Sequence, residues 1–119
     1  MSKKRLFSII LCTVMLITSL NVLANSAYAS FGEGSARADA ELYTKANSPV
    51  GSGATAYTTS VSNLTVNTQV KITDAYGYSP GWAYGGTYAY QSASGLTNPK
   101  TAQSIHYCEG YSRTLSCSY

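Results

Sequence analysis

The sequence predicts an all-β fold, a small antiparallel β-sandwich or open barrel of five to six strands. From Leu64 the even positions read Leu64, Val66, Thr68, Val70, Ile72, Asp74 and Tyr76, with Thr65, Asn67, Gln69, Lys71, Thr73 and Ala75 between them. Successive side chains of a strand point to opposite faces, so this stretch is a strand with one largely apolar and one polar side. Further short runs of small, β-branched and aromatic residues recur at near-regular spacing, divided by clusters of Gly, Pro, Asn and Ser. No heptad pattern or repeat of fixed period competes with that reading.

The N-terminal segment has a different character. Lys3, Lys4 and Arg5 form a basic start, and Leu6 to Ile17 is apolar except for Ser8 and Thr13. Ala27-Tyr28-Ala29 places small residues at the two positions a signal peptidase reads. This predicts a secretory signal peptide over 1–29 and a single mature β-domain over 30–119. A membrane-spanning helix needs about twenty predominantly apolar residues, and Asn21, Asn25 and Ser26 interrupt the run. Cys12 follows Leu11 deep in the apolar run with no small residue before it, which argues against a lipoprotein. The expectation is an extracellular protein with no membrane span after signal cleavage.

Three of the eight basic residues belong to that leader. The remainder, Arg37, Lys45, Lys71, Lys100 and Arg113, balance Glu33, Asp39, Glu41, Asp74 and Glu109. A near-neutral domain has no basic stripe to neutralise phosphates, so nucleic acid is not the expected partner. About ninety residues suffice for one domain of marginal stability. Cys108 and Cys117 remain after cleavage, and an even pair in an exported protein predicts a disulfide. Closing that loop would add about 2.7 kcal/mol on the chain-entropy model.

Taken in order, Ser30 to Gly34 reads as a tail. Ser35 to Ala46 admits two readings. A short N-terminal helix is supported by its alanines, the Glu41–Lys45 spacing and the stop at Asn47 and Pro49. The other reading is a first strand near Glu41 to Lys45. Asn47 to Gly53 is a loop, and Gly53 to Ser62 a strand of small residues with Tyr57 and Val61 on one face. The main strand runs from Leu64 to Tyr78 and ends at the turn Tyr78-Ser79-Pro80-Gly81.

Gly85-Gly86 also has two readings. As a hairpin turn it separates Trp82 and Tyr84 from Tyr88 and Tyr90. As a kink in one continuous strand it leaves all four aromatics on one face. The short segment before the glycines favours the kink. Ala93 to Lys100 is a loop, and Thr101 to Cys108 a strand with Ala102, Ser104, His106 and Cys108 on one side and Ile105 and Tyr107 on the other. Glu109 to Arg113 turns the chain and Thr114 to Tyr119 closes it. A Cys108–Cys117 bridge would set His106 opposite Tyr119.

A hydrolase needs a nucleophile, a base and an orienting group. His106 is the single histidine, there is no Gly-x-Ser-x-Gly elbow, and Ser104 lies about 7 Å along the same strand face. The simplest role for His106 is a partly buried strand residue bonded to a neighbouring hydroxyl or carbonyl. Five scattered acids suggest no carboxylate pair, and one histidine with two cysteines makes no zinc site. The chain is therefore expected to be non-enzymatic, with no cofactor and no metal.

The unusual feature is tyrosine. Ten of the eleven follow Tyr28, alongside Trp82 and Phe31. Tyr joins a large apolar face to a polar tip and loses little entropy on binding, which suits recognition surfaces. Trp82, Tyr84, Tyr88 and Tyr90 are the candidate binding residues. Because Leu, Ile, Val and Phe are scarce in residues 30–119, the same four are expected to supply the core.

The signal segment, the single-bridge aromatic β-domain and the Gly/Ser/Thr-rich strands together resemble small exported β-proteins of Gram-positive bacteria. Among these are secreted bacteriocins of the lactococcin 972 type. The likeness is one of layout, with no motif to align residue by residue, and transfers no activity. Three functions are consistent with these features. The first is binding of a cell-wall polymer or surface protein through exposed aromatics. The others are a secreted antibacterial polypeptide, and an inhibitor of an extracellular hydrolase presenting the Asn47 to Gly53 loop.

Overall fold

The computed structural model describes residues 26–44 and 53–119, which build two antiparallel four-stranded sheets packed as a β-sandwich. One sheet contains β1 (Ser26–Phe31), β2 (Ala38–Thr44), β3 (Ala54–Ser60) and β6 (Tyr88–Gln91), in the order β1-β2-β3-β6. The other contains β4 (Val66–Thr73), β5 (Ala83–Gly85), β7 (Thr101–Cys108) and β8 (Tyr111–Ser118), in the order β5-β4-β7-β8. The loop expected from Asn47 lies outside the described residues as far as Ser52.

Alternation decides what faces inward. Ala38, Ala40, Leu42 and Thr44 are buried along β2, Val66, Thr68, Val70 and Ile72 along β4, and Ala102, Ser104, His106 and Cys108 along β7. Ala54, Ala56 and Ala89 join them, and β8 adds Leu115 and Cys117. The expected aromatic core is overturned: among the described residues Phe31 is the one buried aromatic, and Trp82, Tyr84, Tyr88 and Tyr90 all lie outside. A sheet face tiled with alanine offers small, shallow side chains. The facing sheet supplies the larger Val66, Val70, Ile72, His106 and Leu115, and together they fill the interface without tyrosine or tryptophan.

The segment divided between helix and strand forms a short 3-10 turn over Gly34–Ala36 and then the strand Ala38–Thr44. As a strand, Ala38, Ala40, Leu42 and Thr44 all reach the core; a helix would have put only part of that set on one face. The N-terminal tail is also replaced, since Ser30 and Phe31 complete β1. The strand count rises from the expected five or six to eight because β1 forms and because the aromatic segment splits into β5 and β6.

The main strand ends at Thr73, five residues before the sequence pattern does. Asp74 stops it by folding the chain back. Its Oδ1 accepts the backbone N–H groups of Tyr76 and Tyr78 at 2.9 and 3.1 Å, and its Oδ2 accepts that of Thr97 at 3.2 Å. Burial opposes the charge, but these three N–H donors outweigh it and hold the Asp74 pKa below the usual carboxylate value.

Gly85-Gly86 is neither a hairpin within one sheet nor a simple kink. It is the corner at which the chain leaves β4's sheet and enters β3's. A Cβ at Gly85 would overlap the Tyr88 carbonyl oxygen. Only glycine lets the two backbones pass there.

The predicted Cys108–Cys117 disulfide is corrected by the register. Cys108 pairs with Tyr111 across a two-residue turn, while Cys117 pairs with Ala102. The cysteines are thus six strand positions apart, about 20 Å at the usual rise, far beyond the reach of a disulfide. Both are buried free thiols. The turn closes earlier than expected, with Glu109 taking φ 54°, so His106 faces Arg113 rather than Tyr119. After denaturation both Cys108 and Cys117 should titrate as free thiols, and reductant should leave the melting temperature unchanged. Recovery of a Cys108–Cys117 peptide after non-reducing digestion would refute this register.

Candidate functional site: a tyrosine face and its cleft

On β1, β2, β3 and β6 the residues that alternate with the core-facing ones point away from the core, Thr55 among them being itself buried, and their register aligns them into rows. Tyr28 lies opposite Glu41, Glu41 opposite Tyr57, and Tyr57 opposite Tyr88, so one row crosses all four strands. The next row runs Ser26, Tyr43, Thr55, Tyr90. Five tyrosines thereby share the outer face of this sheet. The Tyr57 and Tyr88 ring centroids are 5.7 Å apart and tilted by 36°, and Tyr43 meets Tyr57 edge-on at 6.1 Å. Both are favourable aromatic geometries.

Two carboxylates are set among the rings. The Tyr43 hydroxyl donates to Glu41 Oε2 at 2.8 Å. Asp39 Oδ1 accepts from Ser30 Oγ at 2.7 Å and from the Tyr28 hydroxyl at 3.1 Å. Burial, then the bond to Glu41, pushes the Tyr43 pKa up to about 12, so Tyr43 stays a donor at any physiological pH. A carboxylate has about four acceptor sites, and those left over face solvent. Tyr90 is fixed differently: its ring lies so close to Gly53 that a Cβ there would collide with it.

At the β6 end of the face is a cleft of about 420 Å³, whose walls include Tyr57, Ser60, Asn63, Leu64, Thr87 and Tyr88. Tyr57 and Tyr88 belong to both face and cleft. Flat rings, carboxylates and hydroxyls thus lead into a recess.

Of the four aromatics singled out from sequence, Tyr88 and Tyr90 belong to this face. Trp82 and Tyr84 lie on the opposite side of the sandwich, with Tyr84 paired to Gln69 and 73% exposed. Lys71 Nζ sits 4.8 Å above the Trp82 ring. The four cannot act together, because the corner at Gly85-Gly86 sends the two pairs to different sheets. The residues sequence reasoning missed are Tyr28, Tyr43 and Tyr57. Their signal was parity, since each alternates with inward-facing neighbours on its strand, Tyr28 with Ala27 and Ala29, Tyr43 with Leu42 and Thr44, and Tyr57 with Ala56 and Thr58.

Behind the cleft wall, at Thr58, lies a buried polar chain. Thr68 Oγ1 donates to the Gly86 carbonyl at 2.7 Å. Its proton being committed, the 2.7 Å contact between Thr58 and Thr68 hydroxyls must be donated by Thr58. Thr58 Oγ1 must then accept from His106 Nδ1–H at 2.8 Å, which leaves Nε2 to accept the Ser104 hydroxyl at 2.7 Å. The network fixes a neutral, Nδ1-protonated imidazole. Burial, only partly offset by the nearby Tyr57 backbone, which favours the protonated ring, lowers the His106 pKa to about 4. His106 and Ser104 are both 0% exposed, so no substrate reaches the Ser104 hydroxyl. The chain Ser104–His106–Thr58–Thr68 fastens β7 to β3 and β3 to β4 at the core.

No helix among the described residues is long and apolar enough to cross a membrane. No group of three or more His, Cys, Asp or Glu among them is placed to hold a metal ion. Comparison with protein-family models, curated proteins and solved structures finds no match.

Proposed function

We propose that this protein is an exported, non-enzymatic binding module that recognises a polyhydroxylated cell-wall polymer through its tyrosine face. The observation that supports this reading is the row Tyr28–Glu41–Tyr57–Tyr88, with the Tyr57 and Tyr88 rings also walling the cleft. A sugar ring offers an apolar face of C–H groups and a rim of hydroxyls. Tyrosine rings pack against the first, and the spare acceptor sites of Asp39 and Glu41 take the second. The rings are held by strands and by one another, so little ordering is needed on binding.

Sedimentation with purified cell wall tests the reading. Wild type should be retained, and Tyr88→Ala should weaken retention about tenfold, as for a central aromatic anchor. Trp82→Ala, on the opposite face, should bind as wild type. No retention of wild type on walls from a broad strain panel would remove the wall-polymer reading. Equal losses for Trp82→Ala and Tyr88→Ala would remove the assignment to this face.

A further inference from the structure

The fold bears on where the leader ends. The two small residues of Ala27-Tyr28-Ala29 are structural parts of β1. All six β1 residues pair with β2, from Ser26↔Tyr43 to Phe31↔Ala38. Ala27 is 5% exposed within the core, Ala29 packs against it, and the Tyr28 hydroxyl holds Asp39. Cleavage after Ala29 would remove four of the six pairs. It would strip the edge of β2 of its hydrogen-bonding partner and uncover the side of β8 against which β1 packs. An exposed, unpaired edge of that length is a template for association.

The sequence contains a second pattern upstream that spares the strand. Val22-Leu23-Ala24 has a small apolar residue and an alanine at the two positions a signal peptidase reads. It follows the apolar run Leu6 to Ile17 by seven residues, against twelve for Ala29. We infer that the leader is cut after Ala24, so that the exported chain begins at Asn25 and keeps β1 and Tyr28 whole. The leader then spans 24 residues, within the ordinary signal-peptide range of about 15–30.

This inference rests on the export reading, and N-terminal sequencing with intact mass of protein from the culture medium separates the two. A start at Asn25 is expected. A start at Ser30, lighter by Asn25 to Ala29, or at any residue inside β1 would overturn the assignment while leaving export intact. An intact chain that still begins at Met1 and stays inside the cell would overturn export itself, and this inference with it. Refolded chains starting at Asn25 and at Ser30 provide a second readout. The shorter one should unfold at lower urea concentration and associate at concentrations where the longer one is monodisperse. Equal urea midpoints and equal solution masses would show that β1 is dispensable and remove the physical basis of the assignment.

Discussion

Lowering the pH from 7 to 4 is expected to remove about 3 kcal/mol of stability through His106 alone. In the unfolded chain this imidazole binds a proton near its ordinary value of 6.5, whereas in the folded protein it resists protonation down to about 4. Between those two values the unfolded state holds more protons. The His106 contribution is therefore complete above pH 6.5, falls as the pH drops towards 4, and is gone below 4. The physical cause is burial, which disfavours the charged imidazole, and that form would also have to donate from both nitrogens. Nε2 already accepts the Ser104 hydroxyl, whose proton would have to find another acceptor inside the core.

Urea denaturation measured at intervals from pH 7 to pH 4 checks this directly. His106→Gln retains a donor and an acceptor but does not titrate, and should flatten the profile between pH 6.5 and 4. An unchanged slope in that variant would sink the assignment. Asp74 acts in the same direction but in a lower window, because its depressed pKa contributes stability that is lost as the carboxylate protonates. His106→Ala should cost about 3–5 kcal/mol at neutral pH. It leaves a cavity and deprives both Thr58 and Ser104 of their partner.

Gly85→Ala is expected to destabilise the fold on the order of 3 kcal/mol, the upper part of the range for forcing atoms into a packed site. The added methyl group meets the Tyr88 carbonyl oxygen, a backbone atom with no rotamer by which to move away. Relief requires shifting β5 from β6 at the corner, which also displaces Tyr88 from Tyr57. Gly86→Ala is the control. A Cβ there meets nothing nearer than the Val66 carbonyl oxygen at 3.9 Å. Its φ is not in the left-handed region, so it should be neutral or stabilising by about 0.5 kcal/mol through the unfolded state. Urea midpoints of the two variants decide it. Equal values would mean that the corner does not depend on the missing side chain at Gly85.

Much of the strand content was legible because a half-buried strand writes its burial into alternate residues. Thr101 to Cys108 was read with its faces correct, and Gly53 to Ser62 nearly so. The candidate site was less legible. From sequence Tyr57 is one aromatic on a strand, Tyr28 falls in the expected leader, and Tyr43 lies in a segment divided between helix and strand. Nothing local distinguishes a tyrosine beside an alanine-lined core from one inside an aromatic core, because that depends on what the facing sheet supplies. The cysteine pair failed for a related reason. An even cysteine count is a compositional argument, and it is defeated by a two-residue turn that fixes the register of β7 and β8.

The sequence by itself determined that the chain is β-structured, that residues 30–119 are near neutral, and that alternate residues of each strand share a face. These follow from local sterics and the two-residue period of a strand. Only the tertiary structure decided which residues meet. Register across four strands aligned Tyr28, Glu41, Tyr57 and Tyr88, and the Gly85-Gly86 corner divided the aromatic cluster between two sheets. Packing of small residues turned the rings outward. Each of these is a relation between segments distant in the chain, fixed by closure of the sandwich around its alanine core.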